Sequence, residues 1–366
     1  MTDSDVSQDH HYMQTALNLS LRGLGNTWPN PSVGTVIVKK NKIVSRGWTK
    51  PSGRPHAEIV ALNKNKKLLF RGATLYTTLE PCSHFGKTSP CVDAIINAKI
   101  KRVVIATKDI NPNIDGKAIK KLKKKKIKVT LGILEKEAKK INLGFFQKIK
   151  INRPSISTKI AISKNGMITD PTTKWITSEH SRSYGQFIRA KHDAVMTGIN
   201  TVLKDNPLLT CRLPGMEKYS PVRVVLDSNL KIKENLRIVQ TSKKIKTYLF
   251  TLNNMNKLKI KKLKDYGLKI IFIKPILNSM NINLVLEELS KIGLNNILLE
   301  AGAKLNSSFF SQNLINKIYY FESQKIIKFG GLSLFKKLKI NRINDLKFRM
   351  ISTKNLIDDK LIIYER

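Results

Sequence analysis

Cysteine is nearly absent: Cys82, Cys91 and Cys211 are the only three in 366 residues. That excludes a disulfide-built scaffold and leaves metal ligation, catalysis or plain burial for each thiol. No run approaches the ~18 consecutive apolar residues of a membrane span, so no transmembrane helix is expected. Residues 1–10 lack the basic stretch and apolar core of a secretory leader, and the expected address is the cytoplasm. Acidic residues are scarce as well, 26 Asp and Glu against 67 Lys and Arg, for a net charge of +41. Such an excess argues for a polyanion partner. Here, however, lysine travels with Ile and Asn, as at 64–67, 257–264 and 336–341, the pattern of an A+T-rich coding sequence. Nucleic acid is therefore not the expected partner. A positive field would still speed the approach of a phosphorylated small molecule, in a salt-screened way.

What is present suffices for about two domains of roughly 150 residues each. Apolar spacing and turn residues predict a helix over 12–24, hairpin strands over 33–38 and 43–47, and a helix over 56–63. A strand over 74–78, a helix over 91–99, strands over 102–107 and 127–131 and one helix over 135–148 follow. The lysine run 120–128 reads as a solvated helix entering a strand. The basic stretch 148–154 reads as a linker. Beyond it come strands over 156–161, 194–197, 222–226, 246–251, 269–273, 296–300 and 317–321, with helices over 178–190, 282–291 and 304–313. The fold class is α/β, with two three-layer domains, 1–150 and 151–366, and no internal repeat.

Chemistry concentrates in the first half. Pro55-His56-Ala57-Glu58 is followed by Glu80-Pro81-Cys82, and Cys91 lies nine residues after Cys82. One imidazole and two thiolates are the ligand set of a catalytic zinc whose fourth position stays open for water. Glu58, near the start of a predicted helix, is placed to take a proton from that water and hand it to a leaving amine. This is the logic of zinc deaminases acting on nucleobase-like rings, in which the glutamate is not a ligand. His84 is a rival ligand, but within the loop between the cysteines it reads as a loop or substrate-contact residue. Two other readings stay open: a deaminase of tRNA or another nucleic acid, and a basic scaffold with a structural zinc and a fourth protein ligand.

Cytidine-type and tRNA deaminases carry Pro-Cys-x-x-Cys, whereas here eight residues, 83–90, separate the thiols. With Pro29-Asn30-Pro31-Ser32-Val33-Gly34, the block 72–80 and Asp109-Ile110-Asn111-Pro112, this half resembles the deaminase half of the bifunctional riboflavin biosynthesis family. The resemblance implies a cytidine-deaminase-like zinc domain with Asn30 against a pyrimidine.

In the second half, Glu300-Ala301-Gly302 joins a predicted strand to a predicted helix. By itself this is either an anion site or a plain turn. Lys174-Trp175-Ile176-Thr177-Ser178, the block 189–194, the block 201–212 and Val225-Leu226-Asp227-Ser228 extend the same resemblance. It implies a dihydrofolate-reductase-like domain using NADPH. Ala161, Trp175, Thr201, Asp205 and Gly302 would contact the cofactor, and Thr173, Arg189, Leu209, Arg212 and Glu300 the substrate, arginine forks suiting its phosphate. The implied activity is hydrolytic deamination of a phosphorylated diaminopyrimidine followed by reduction of its ribosyl chain, in a family that is often homo-oligomeric, dimeric or tetrameric. Where the family reads Ser-Leu-Asp-Gly this chain has Ser163-Lys164-Asn165-Gly166, with a shortened loop 167–174 after it.

Overall fold

β-Branched stretches alternating with amphipathic ones build two units in the computed structural model, Met1–Arg153 and Pro154–Arg366. All residues are described except 1–2, 64–69, 87–88, 113, 253–255, 278, 339 and 341–342. The lysine cluster 64–67 and part of the run 336–341 thus lie outside the described residues. No described helix is long and apolar enough to cross a membrane.

The first unit runs α1 (Asp3–Ser20), β1 (Gly34–Lys39), β2 (Lys42–Trp48), α2 (Ala57–Leu62), β3 (Thr74–Leu79), α3 (Cys91–Asn97), β4 (Arg102–Thr107), α4 (Lys117–Lys124), β5 (Lys128–Leu131), α5 (Glu135–Ile141) and α6 (Leu143–Ile151). Its sheet has the order β2-β1-β3-β4-β5, antiparallel at β2-β1 and β1-β3 and parallel from β3 to β5. Strand side chains alternate between faces. Ile37, Leu75, Val103 and Ile105 pack with Ala61, Val92, Ile95 and Leu122 of α2, α3 and α4. Val36, Val38, Tyr76 and Val104 pack with Met13, Leu17 and Ala138 of α1 and α5. The result is three layers. Gly47 lets α2 lie close on β2, because a Cβ there would sit 2.2 Å from the Ala57 carbonyl oxygen. That contact fixes the helix start carrying His56 and Glu58.

Three expectations are corrected here. Helix α1 begins at Asp3 and ends at Ser20 instead of spanning 12–24. Its polar start is drawn in by a buried ion pair: Arg102 Nη1 and Nη2 donate to Asp9 at 2.9 and 2.6 Å, and the Tyr76 hydroxyl donates at 2.9 Å. Asp9→Ala takes the carboxylate away from that guanidinium, and thermal or urea unfolding should show a loss of about 3 kcal/mol. The helix expected over 135–148 is two, broken at Asn142. There Ser32 N donates to Asn142 Oδ1 at 2.8 Å, and Asn142 Nδ2 donates back to the Ser32 carbonyl at 2.9 Å. Finally, the expected linker 148–154 is helical through Ile151, because Phe145 and Phe146 are buried against Val33, Ala57 and Leu79.

The second unit runs β6 (Ser155–Ile162), α7 (Glu179–Ala190), β7 (Ala194–Gly198), α8 (Ile199–Asp205), β8 (Val222–Leu226), α9 (Arg237–Gln240), β9 (Thr247–Leu252), α10 (Lys257–Asp265) and β10 (Lys269–Ile273). A short β11 (Pro275–Ile276) and β12 (Ser279–Met280) precede α11 (Ile282–Ile292), β13 (Asn296–Leu299), α12 (Ala303–Ser311), β14 (Lys317–Ser323), α13 (Leu334–Leu338), β15 (Arg349–Leu356) and β16 (Asp359–Glu365). Nine strands form one sheet, β10-β9-β8-β7-β13-β6-β14-β16-β15, parallel except where β16 pairs with β14 and β15. Val195, Val225, Leu249 and Leu298 share a core with Ile188, Val202 and Leu263 of α7, α8 and α10. Alternate positions, including Val224, Phe250, Ile297 and Leu299, are fully buried on the opposite face. The closing hairpin β15–β16 was not predicted. Residues 349–355 are exposed throughout, so β15 has no apolar alternation to betray it.

Candidate active sites

In the first unit, one histidine nitrogen meets two sulfurs where β3 and two helix starts converge. His56 caps α2, Cys82 lies in the turn after β3, and Cys91 opens α3 behind Pro90. His56 Nδ1 is 3.3 Å from Cys91 Sγ and 3.5 Å from Cys82 Sγ, and the three donors lie within 4.8 Å of one another. A tetrahedral ion with bonds of about 2.0 Å to nitrogen and 2.3 Å to sulfur holds N and S about 3.5 Å apart, so the donor set fits zinc. Among the described residues the cluster has these three ligands and no fourth. His84 is not in it, and a closed structural site is not formed.

The surroundings favour ligation. A hydrogen bond from the Cys91 thiol, joined by those from His56 and the Cys91 amide, holds Cys82 down at about 4. The Cys91 thiol, hydrogen-bonded to Cys82 and buried, is pushed well up. Glu58 is buried, and desolvation raises its pKa against the opposing pull of His56. Thr77 Oγ1 donates to Glu58 Oε1 at 3.3 Å.

His56, Glu58 and Cys82 line a cavity of ≈160 Å³ that also takes in Asn30, Arg54, His84, Asp109 and Asn111. Asn30 Nδ2 donates to the Gly53 carbonyl at 3.0 Å and stands 3.4 Å from His56 Nε2. Lys148 Nζ donates to the Pro29 carbonyl at 2.7 Å, anchoring that loop to α6. Burial pushes the Asp109 carboxyl up to about 6. No sequence expectation was placed on Arg54. Asp109 and Asn111 had appeared only as part of a matched block.

In the second unit a cavity of ≈420 Å³ is lined by Arg189, Leu209, Arg212 and Glu300 together with Trp175, Thr201 and Asp205. A larger one of ≈780 Å³ adjoins it, lined by Ala161, Thr173, Trp175, Thr201, Asp205, Glu300 and Gly302. Every expected residue of this half therefore lines one cavity or both. Thr173, expected at the substrate, lies in the larger one only. That cavity is edged by the starts of α8 and α12, at Asn200–Thr201 and Gly302–Ala303, and by Lys159, Lys174, Arg182 and Lys204. A Cβ on Gly302 would meet nothing within 4 Å. Backbone N–H groups at helix starts with cations beside them fit the phosphates of a dinucleotide.

Arg189 grips Glu300 bidentately, Nε to Oε1 at 2.5 Å and Nη2 to Oε2 at 2.7 Å. Burial would raise Glu300, but Arg189 and Lys159 more than offset it, and its pKa is lowered. Lys159 lines both cavities, and desolvation lowers its pKa against the opposing pull of Glu300. It was missed as a site residue, although a lone charge inside the buried β6 is a readable signal. Leu209 holds a left-handed φ of +54°. The loop before it is tied down by the fully buried Arg223, which donates to the carbonyls of Leu208, Ile238 and Ile245 and to Thr241 and Thr247. At the altered motif, Asn165 Nδ2 donates to the Ile327 carbonyl at 2.8 Å, and its Oδ1 accepts from Ile327 N at 3.1 Å. An aspartate could not make the first of these bonds.

The chain is similar to known proteins over nearly its whole length. Residues 6–107 match the cytidine and deoxycytidylate deaminase zinc-binding region, and residues 154–360 match the RibD C-terminal domain. The chain is 39% identical to the riboflavin biosynthesis protein RibD of Aquifex aeolicus, over 98% of each chain. Against the RibD of Escherichia coli it is 32% identical, covering 87% of this chain and 89% of that one. Among solved structures, Acinetobacter baumannii RibD superposes with a TM-score of 0.87 at 32% identity, covering 98% of this chain and 99% of that one. The Thermotoga maritima diaminohydroxyphosphoribosylaminopyrimidine deaminase/5-amino-6-(5-phosphoribosylamino)uracil reductase gives 0.83 at 32% identity, covering 99% of each. The chain belongs to the RibD family, bifunctional zinc deaminases and NADPH-dependent reductases of riboflavin biosynthesis.

Proposed function

We propose that the first unit deaminates 2,5-diamino-6-ribosylamino-4(3H)-pyrimidinone 5′-phosphate and that the second reduces the ribosyl chain of the product to ribityl. The observation that carries the reading is the convergence of His56, Cys82 and Cys91 beside a cavity lined by His56, Cys82 and the buried Glu58. The one imidazole and two thiols would hold zinc, which would supply a water activated at neutral pH. Glu58 takes the proton from the attacking water and returns it to the departing amine. The ring C–N bond breaks, a carbonyl forms and ammonia leaves. Asn30, fixed by Gly53, orients the pyrimidine.

Among the described residues lining this cavity, Arg54 is the one lysine or arginine, and it takes the substrate's phosphate. Arg54→Ala should raise KM about tenfold or more for the phosphorylated substrate while hardly changing turnover of the dephosphorylated one, since hydrogen bonds to charged groups are the strong class. Equal effects on both substrates would place the phosphate elsewhere.

In the second unit, NADPH held by the larger cavity would supply the hydride for C1′ of the ribose; opening of the C1′–O4′ bond leaves O4′ in need of a proton. Lys159, desolvated and shared by both cavities, gives it. Arg189 and Glu300 brace each other across the substrate pocket, and Arg212 faces the phosphate. We place the chain in the cytoplasm, where thiol ligands stay reduced.

A further inference from the structure

We propose that Glu80 is a positioning residue of the deamination site, holding the turn that presents Asp109 and Asn111 to the substrate; this rests on the reading of the first cavity given above. Glu80 is buried two residues before Cys82, and its own amide donates to the Thr107 carbonyl at the end of β4 at 3.0 Å. Its Oε2 accepts from Asp109 N at 3.3 Å and from Gly116 N at 3.0 Å. Its Oε1 accepts from Ala118 N at 3.1 Å and Ile119 N at 3.3 Å. An ordinary helix cap accounts for the bonds at the start of α4. It does not account for the bond to Asp109, at the opposite end of the turn.

One carboxylate oxygen thus gathers both ends of the segment, and the interior is held in sequence from there. Asn111 N donates to Asp109 Oδ1 at 2.8 Å, and the amides of Ile114 and Asp115 donate to the Asn111 carbonyl at 2.8 and 2.9 Å. Asp109, Asn111 and Ile114 all face the cavity. With four backbone donors on its two oxygens, Glu80 acts through what it holds. Because the same residue leads into Cys82, the metal turn and the substrate turn share one anchor.

The test uses the zinc-loaded full chain and the diaminopyrimidine phosphate. Glu80→Gln puts an amide NH2 against two backbone donors, so KM for deamination should rise about tenfold or more, the cost of stranding buried N–H groups. The rise in KM should exceed the fall in kcat, with zinc content and reductase turnover as in the wild type. Asn111→Ala should also raise KM, and the double variant should lose less than the product of the two single losses. A Glu80→Gln enzyme with unchanged KM, whatever its melting temperature, makes Glu80 a plain cap and overturns the inference, as do multiplicative effects. Loss of zinc from Glu80→Gln assigns the residue to the metal turn instead and overturns it too. If that variant cannot be purified, Asn111→Ala decides, an unchanged KM overturning it. Wild-type chain that holds zinc yet releases no ammonia would overturn the deaminase reading itself.

Discussion

Glu58→Gln should lower deamination about 10³-fold or more while the chain keeps about one zinc. The side chain is nearly isosteric, so α2 and the His56 cap it follows are undisturbed. What is lost is the carboxylate that accepts a proton from water and returns it to the amine. Burial raises the Glu58 pKa, which helps it hold the proton between those two events. Thr77, donating to one oxygen, can donate equally to the glutamine carbonyl, so stability should barely change. Ammonia release with a coupled assay, alongside zinc analysis of the same preparation, reads both quantities. Wild-type turnover in this variant would remove Glu58 from the reaction.

Lys159→Met is expected to have the second-largest effect, about 10²- to 10⁴-fold on reductase turnover, the usual contribution of a positioned acid. Methionine keeps the aliphatic stem in β6, and loss of an already desolvated ammonium should be tolerated by the fold. Lys159 carries a pKa lowered by burial, so its proton is given up more readily than that of a surface lysine. The folded group binds its proton less tightly than the unfolded one. Reductase turnover should therefore fall as pH rises through that lowered value. NADPH binding, followed by fluorescence, and deamination in the first unit should be unaffected. A variant that reduces normally would move the proton source to Lys174, the other lysine shared by both cavities.

The metal site was legible in the sequence because its ligands are rare residue types, two of them placed at helix starts. Three cysteines in the whole chain leave little room for coincidence, and His56 and Cys91 lie where α2 and α3 begin. Strands with one or two buried faces were legible for the same kind of reason, their apolar side chains recurring along the chain. Three features were not. The break at Asn142 depends on Ser32, 110 residues away, and nothing local to 135–148 announces it. Arg54, Asp109 and Asn111 sit on loops that share a cavity only after the sheet has formed, so their types carried no spacing to read. Glu80 stood inside a matched motif, but its four backbone donors come from residues 109–119, a partnership only tertiary structure creates.

The most direct test of the account is product analysis by mass spectrometry of the zinc-loaded chain given 2,5-diamino-6-ribosylamino-4(3H)-pyrimidinone 5′-phosphate. Without NADPH, a single product is expected, in which a ring amine has become an oxo group. With NADPH, this product should gain the hydrogens of ribosyl-to-ribityl reduction. Unchanged substrate in both reactions, from protein shown to carry its zinc, would contradict both expectations.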